Sequence, residues 1–116
     1  MRTAIAHTVW KTAAPVALLA VFAMACSAVQ NPALVKAHLA YQNARQDPVI
    51  VRNAGADLEK AAAVLEKADR SWAKDKDVVE AEHLAYIAQK RVEIARVTAE
   101  RRLAMDELQQ IKSQRP

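Results

Sequence analysis

The sequence has 116 residues, which is room for one small domain. It contains a single glycine and 4% aromatic residues, and its many alanines have the highest intrinsic helix propensity. The alternating β-branched pattern of strands is missing, so we predict an all-α protein. Of the net charge of +4, Arg2 and Lys11 belong to an N-terminal segment without acidic residues, and the charges beyond that segment alternate in sign. Such alternation is typical of a solvated helix and argues against a nucleic-acid partner.

The first 25 residues have the organisation of a signal peptide. Basic residues come first, residues 12–25 form an apolar run, and small residues precede a potential cleavage site. We therefore predict a signal-peptide helix over residues 1–25 and cleavage between Ala25 and Cys26. No charged residue occurs between Thr12 and Val35. An uncleaved anchor in the inner membrane is therefore the alternative.

Cys26 is the only cysteine of the chain. Residues 22–27 resemble the lipobox of bacterial lipoproteins, with Ala25 as the small residue before the cysteine. The resemblance implies lipidation of Cys26, attachment to the membrane through N-terminal acyl chains and, with Ser27 rather than Asp after it, passage to the periplasmic face of the outer membrane. Ala23 and Ala25 also satisfy the Ala-x-Ala rule of ordinary secretion. That alternative leaves a soluble periplasmic protein with a free or intermolecularly paired thiol.

After a tether over residues 26–31, helix-start signals place a helical domain at residues 32–113. Asn31-Pro32 and Asp47-Pro48 each combine a capping side chain with a proline suited to the first turn. They predict helices over residues 32–46 and 48–53, the second ending near Gly55, which can adopt a positive φ without strain. Heptad spacing then predicts a helix over residues 56–73. A tight, charged turn is predicted within Ser71–Asp77, and Asp75 or Asp77 is expected to cap the last helix, residues 77–110.

We expect these helices to form an antiparallel hairpin or a small three-helix bundle. The hairpin core is predicted to consist of six large residues: Leu58, Leu65, Trp72, Leu84, Tyr86 and Ile87. An alanine-rich stripe on the last helix permits close approach of a partner helix, so its first half should be the packed half. Its C-terminal third should project beyond the bundle and expose an unpaired apolar seam. We expect such a seam to bind a partner helix. This helix-partner seam is predicted at Val97, Leu103, Met105, Leu108 and Ile111.

The block from Leu58 to Val97 resembles a known kind of domain. It reads LEKAAAVLEKADRSW, then a charged break, then VVEAEHLAYIAQKRVEIARV. This is similar to the uncharacterised alanine-rich helical domain that precedes OmpA-like peptidoglycan-binding domains in envelope lipoproteins. The resemblance covers roughly residues 31–102. No OmpA-like domain is found among these residues, so the resemblance implies a location and an architecture and not peptidoglycan binding.

No residue pattern indicates catalysis, a metal site, a cofactor or a small-molecule substrate. His38 and His83 are isolated in sequence, and one glycine cannot build a phosphate-binding loop. We therefore expect no enzyme. The favoured hypothesis is a structural or adaptor role in the cell envelope, through self-association or another helical envelope protein. The alternative is a periplasmic module that binds a lipid or an anionic ligand in a groove among Trp72, Leu84, Tyr86 and Ile87.

Overall fold

The computed structural model describes residues 29–116 and contains three α-helices in that part of the chain. They are α1 (Pro32–Gln46), α2 (Pro48–Arg70) and α3 (Val78–Gln114). The all-α three-helix prediction is confirmed, with no strand among residues 29–116. The signal peptide, Ala25 and Cys26 lie outside the described residues. None of the helices between Val29 and Pro116 combines the length and apolarity needed to cross a bilayer.

The predicted starts of α1 and α2 are confirmed because both depend on local chemistry. The Asn31 side chain accepts hydrogen bonds from the backbone N–H groups of Ala33 and Leu34, at 2.9 and 3.4 Å. The Asp47 carboxylate accepts from the N–H of Val49 at 2.9 Å. Each cap satisfies amides that have no partner within the helix, and a proline follows it at the first helical position.

The predicted helix end near Gly55 corresponds to a break in the helical backbone one residue earlier, at Ala54. α2 continues from Pro48 to Arg70 with one kink at Ala54, where φ is −138° and ψ is 28°. Gly55 itself does not have a positive φ. Ile50, Ala54 and Leu58 are all buried in the same cluster, one helical turn apart. That packing holds the segments on both sides of the kink against the same cluster.

A wide, π-helical turn over Ser71–Asp75 connects α2 to α3. Lys76 ends it in the left-handed conformation with φ 56°, and its N–H donates to the carbonyl of Ser71. Asp77 then caps α3 by accepting from the N–H of Glu80 at 3.0 Å. A turn is present where it was predicted, but it is π-helical and not tight, and of the two candidate caps Asp77 is confirmed. The residue that needs a positive φ is a lysine and not the chain's glycine.

Two clusters of mostly small side chains form the core. One lies where α2 and α3 meet the end of α1, and the other lies nearer the π-helical turn. Among the predicted core residues, Leu58 and Leu65 are buried, and Leu84 and Ile87 are partly buried. Tyr86 was wrongly predicted as core, because its side chain is 57% exposed. It directly follows Ala85, which faces the bundle, so the helix turns Tyr86 towards solvent.

Candidate functional site

The two faces of α3 differ along its first half. The face towards the bundle carries a stripe of small residues that are almost completely buried: Ala81, Ala85, Ala88, Val92, Ala95 and Ala99. Their 4,3,4,3,4 spacing keeps them on one side of the helix. Because alanine has a short side chain, the backbones of α1 and α2 approach this stripe closely. The larger residues of α3 are thereby displaced to its flanks and its outer face.

Burial on α3 ends at Ala99, and every residue from Glu100 to Pro116 is exposed. The bundle-facing positions continue past Ala99 as polar residues: Arg102, Asp106, Gln109 and Ser113. The Arg102 guanidinium donates a hydrogen bond to the backbone carbonyl of Asn53, next to the kink in α2. That contact marks the end of the bundle, and the predicted projection of the last helix is confirmed.

The outer face of α3 carries large apolar side chains that no other helix covers. Ile94, Val97, Leu108 and Ile111 are 53–63% exposed. Together with the exposed Ala104 they lie on the side of α3 opposite the bundle-facing stripe. We call these five residues, Ile94, Val97, Ala104, Leu108 and Ile111, the outer seam. The outer seam begins within the packed half of α3, earlier than the predicted seam.

Of the predicted seam residues, Val97, Leu108 and Ile111 lie on the outer seam, and Met105 lies beside it. Leu103 belongs to another face. It follows Ala99 by four residues, so it points along the bundle side, and it is only 38% exposed. The structure therefore does not bring Leu103 together with the other four residues.

Charged residues border the outer seam asymmetrically. Glu93, Glu100 and Glu107 recur every seven residues along one flank, whereas the other flank carries Met105 and Lys112. All five side chains are exposed. A regular acidic flank beside an apolar stripe is a feature of helices that pair with other helices.

Lys90 lies on the same face one turn before Ile94. Its ammonium contacts the Glu93 carboxylate at 2.9 Å and lies 5.5 Å from the centre of the Tyr86 ring. The hydrogen bond and the charge of Glu93 raise the pKa of Lys90 above its ordinary value. Lys90 places a positive charge on the outer face of α3, between the π-helical turn and Ile94.

Trp72 lies at the other end of the bundle and packs partly against the core. It lines a shallow depression of about 470 Å³ with Val29, Lys76 and Val78, and a second one with residues of α1. The other three residues of the predicted ligand groove, Leu84, Tyr86 and Ile87, line neither depression. Trp72 and Leu84 do pack against the same core cluster, whereas Tyr86 is exposed on another face of α3.

His38 is not isolated in the fold. Its Nε2 lies 2.9 and 3.1 Å from the two carboxylate oxygens of Asp69, so the pair joins α1 to α2. Asn31 also reaches across the bundle, where its amide donates to Glu82 on α3 at 3.1 Å. Sequence reasoning missed both contacts because their partners lie 31 and 51 residues apart.

The His38–Asp69 pair occurs at the rim of a depression of about 300 Å³ on α1 and α2. Its lining includes no serine, threonine or cysteine that the histidine could activate as a nucleophile. Within residues 29–116, no group of three or more His, Cys, Asp and Glu side chains is arranged to hold a metal ion. We interpret the pair as a link between two helices.

Residues 32–111 match one family model, which is described as Domain of unknown function (DUF4398). The match covers all of α1 and α2 and α3 as far as Ile111. No curated protein and no solved structure matches the chain at a significant level.

Proposed function

The chain belongs to the DUF4398 family of domains of unknown function, and we propose that it is a structural adaptor that engages a partner helix through the outer seam. One observation carries this proposal: α3 extends beyond its own bundle while it keeps an apolar stripe on the side that the bundle does not cover. The bundle supplies a rigid base, and the exposed helix supplies the contact.

The physical argument rests on how the apolar residues are placed. Single exposed apolar residues are normal on a protein surface. The outer seam differs because its members share one face of one helix over about 26 Å, from Ile94 to Ile111. An apolar stripe of this kind, which only Arg101 interrupts, gains free energy when a partner removes it from water.

We further propose that the adaptor is anchored at the periplasmic face of the outer membrane through a lipidated Cys26. The support for this location is the signal-like segment, the residues around Cys26 and the absence of a second cysteine. In this arrangement the partner is another envelope protein or a second copy of the chain.

Site-specific photo-crosslinking in intact cells tests the adaptor role. A benzophenone amino acid replaces either Leu108, on the outer seam, or Gln110, which is also exposed but lies about 160° around the helix. We expect light-dependent adducts from position 108 and few or none from position 110. Equal yields from the two positions, or no adduct from either, would contradict the adaptor role.

The location is tested by fractionation of cells that carry Cys26→Ser, with Ser27→Ala as the matched control. We expect the serine variant to leave the membrane fraction and the control to remain in it. Mass spectrometry of the parent should show the loss of residues 1–25 and the gain of acyl mass. An intact chain of 12.8 kDa would instead indicate an uncleaved anchor.

A further inference from the structure

The residues around the outer seam follow a seven-residue repeat that also includes their charges. Counted as heptads, Ile94, Arg101 and Leu108 take the a position, and Val97, Ala104 and Ile111 take the d position. Glutamates occupy three successive g positions: Glu93, Glu100 and Glu107. The last e position is Lys112.

From this pattern we propose that the partner of the outer seam is a second copy of this chain, paired with the first in parallel and in register. The inference rests on the proposed adaptor function and names its partner. It concerns residues 94–112, all on α3, and leaves the bundle of each copy unchanged.

Charge complementarity favours the parallel orientation. In a parallel pair, the g position of one helix faces the e position of the next heptad on the other helix. Glu107 of each copy then faces Lys112 of the other, which gives two attractive contacts. An antiparallel pair instead faces g positions with each other and brings Glu100 of one copy towards Glu107 of the other. Those two contacts are repulsive, so the flanking charges favour the parallel orientation of the two helices.

Arg101 is the one charged residue at the a and d positions of residues 94–111. In the parallel register the two Arg101 residues share one layer, and each also lies beside Glu100 of the other copy. The long side chain can keep the guanidinium at the edge of the interface, where Glu100 offsets the repulsion. A charged residue at one a position lowers the stability of a helix pair but restricts its register and its number of strands. We therefore expect a two-stranded complex of modest affinity.

The geometry of the monomer permits this pairing. The buried residues of α3 all lie on the opposite face. α2 approaches the projecting half at Asn53, whose carbonyl accepts from Arg102, and at Arg52, which lines a shallow depression together with Met105. The helix is already ordered by its packed half, so association does not have to form it from coil, which reduces its entropic cost. The parallel orientation also places the N-termini of both copies on the same side, as attachment to one membrane requires.

Disulfide crosslinking at Ala104 tests the register. Parallel, in-register helices place residue 104 of both copies in one d layer, within the Cα separation that a disulfide spans. The matched control is Asp106→Cys, since position 106 faces the bundle side and is exposed. Both variants are made in the full chain, in the parent and in a Cys26→Ser background, so that any linkage through Cys26 is read separately.

We expect covalent dimers from Ala104→Cys in whole cells under mild oxidation, and at least about tenfold fewer from Asp106→Cys, in both backgrounds. Dimer yields that are the same for the two variants would overturn the register. Exclusive linkage of position 104 to a different protein would overturn self-pairing and leave the adaptor function standing. Loss of adducts from both the photo-crosslinker and the cysteine would overturn both proposals.

Reversal of the flanking charges tests the orientation. Glu107→Lys places two cations near each other in the parallel pair, and we expect recovery of a differently tagged second copy to fall about tenfold. Adding Lys112→Glu should restore it. Positions 107 and 112 are five residues apart and do not contact each other within one helix, so the rescue reports on two chains. Stronger association of the single variant would show an antiparallel pair, and failure of the rescue would overturn the proposal.

Discussion

The two halves of α3 make one continuous helix but are stabilised in different ways. From Val78 to Ala99 the helix has a partner on one side, and its alanine stripe is buried against α1 and α2. From Glu100 to Gln114 no residue is buried. The outer seam nevertheless runs across the boundary, since Ile94 and Val97 lie in the first half and Leu108 lies in the second.

This difference shows that one helix can have two separate roles on its two faces. The bundle-facing stripe of α3 fixes the fold. It ends at Ala99, which packs in the same cluster as Ile50 and Ala54 near the start of α2. The second half remains helical because adding residues to an existing helix costs much less than nucleating one. Its Arg, Leu, Met, Glu and Gln residues also have good helix propensity. Substitutions in the two halves should therefore affect different properties.

The largest contrast is expected when an alanine of each half is enlarged. Ala95→Leu puts three extra carbon atoms into a position that is 0% exposed, where α3 packs closely on α2. Overpacking at such a site costs about 3 kcal/mol of the free energy of unfolding. Ala104→Leu adds the same atoms to an exposed position and should change that free energy by less than about 0.5 kcal/mol. Urea denaturation followed by circular dichroism measures both.

The same pair of variants sharpens the functional side of the comparison. Ala104→Leu enlarges the apolar outer seam, so we expect stronger self-association at sedimentation equilibrium. If Ala95→Leu were as stable as the parent, the close approach of α3 to the bundle would be wrong. If Ala104→Leu unfolded the chain, the projecting half would not be free of the bundle.

A smaller contrast is expected from two valines that lie five residues apart. Val92 is 2% exposed and Val97 is 63% exposed. Val92→Ala removes two buried methyl groups and should lower the free energy of unfolding by about 2 kcal/mol. Val97→Ala should lower it by less than about 0.5 kcal/mol and should weaken self-association instead. Similar losses from the two valines in thermal denaturation would contradict the assignment of the two faces.

The parts of the fold that could be predicted from sequence depend on neighbouring residues. Asn31-Pro32 and Asp47-Pro48 cap the helices that they begin, within three residues of chain. The loss of the bundle-facing stripe after Ala99 likewise follows from the local pattern, because polar residues replace it. The projection of α3 was therefore visible in the sequence.

The parts that could not be predicted depend on contacts between helices. α3 offers two stripes that could face the bundle, and periodicity alone did not show that the alanine stripe would exclude Tyr86 from the core. Nothing near His38 in sequence indicates Asp69 as its partner. The outer seam was predicted only in part, because its start at Ile94 depends on which face the bundle covers. The positive φ at Lys76 was missed because only the glycine was considered for it.

The left-handed conformation of Lys76 leads to a prediction with a moderate effect on the free energy of unfolding. Lys76→Gly relieves the strain of a left-handed conformation that a side chain disfavours, and we expect the free energy of unfolding to rise by about 1 kcal/mol. Lys74→Gly, two residues earlier within the π-helical turn, is the matched control and should lower it. The change concerns only the packed end of the molecule, so self-association should be the same as in the parent. Equal effects of Lys76→Gly and Lys74→Gly would show that the left-handed conformation of Lys76 does not lower the free energy of unfolding.

The smallest expected effect comes from Gly55, where the backbone does not adopt the positive φ that favours glycine. A Cβ at Gly55 would meet no atom within 4 Å, and its φ is not positive. Gly55→Ala therefore should stabilise the chain by about 0.5 kcal/mol through helix propensity and a less flexible unfolded state. Ala56→Gly is the reverse change on the next residue and should cost a similar amount. Because Gly55 follows the kink at Ala54, a loss of stability in Gly55→Ala would mean that the kink requires the glycine.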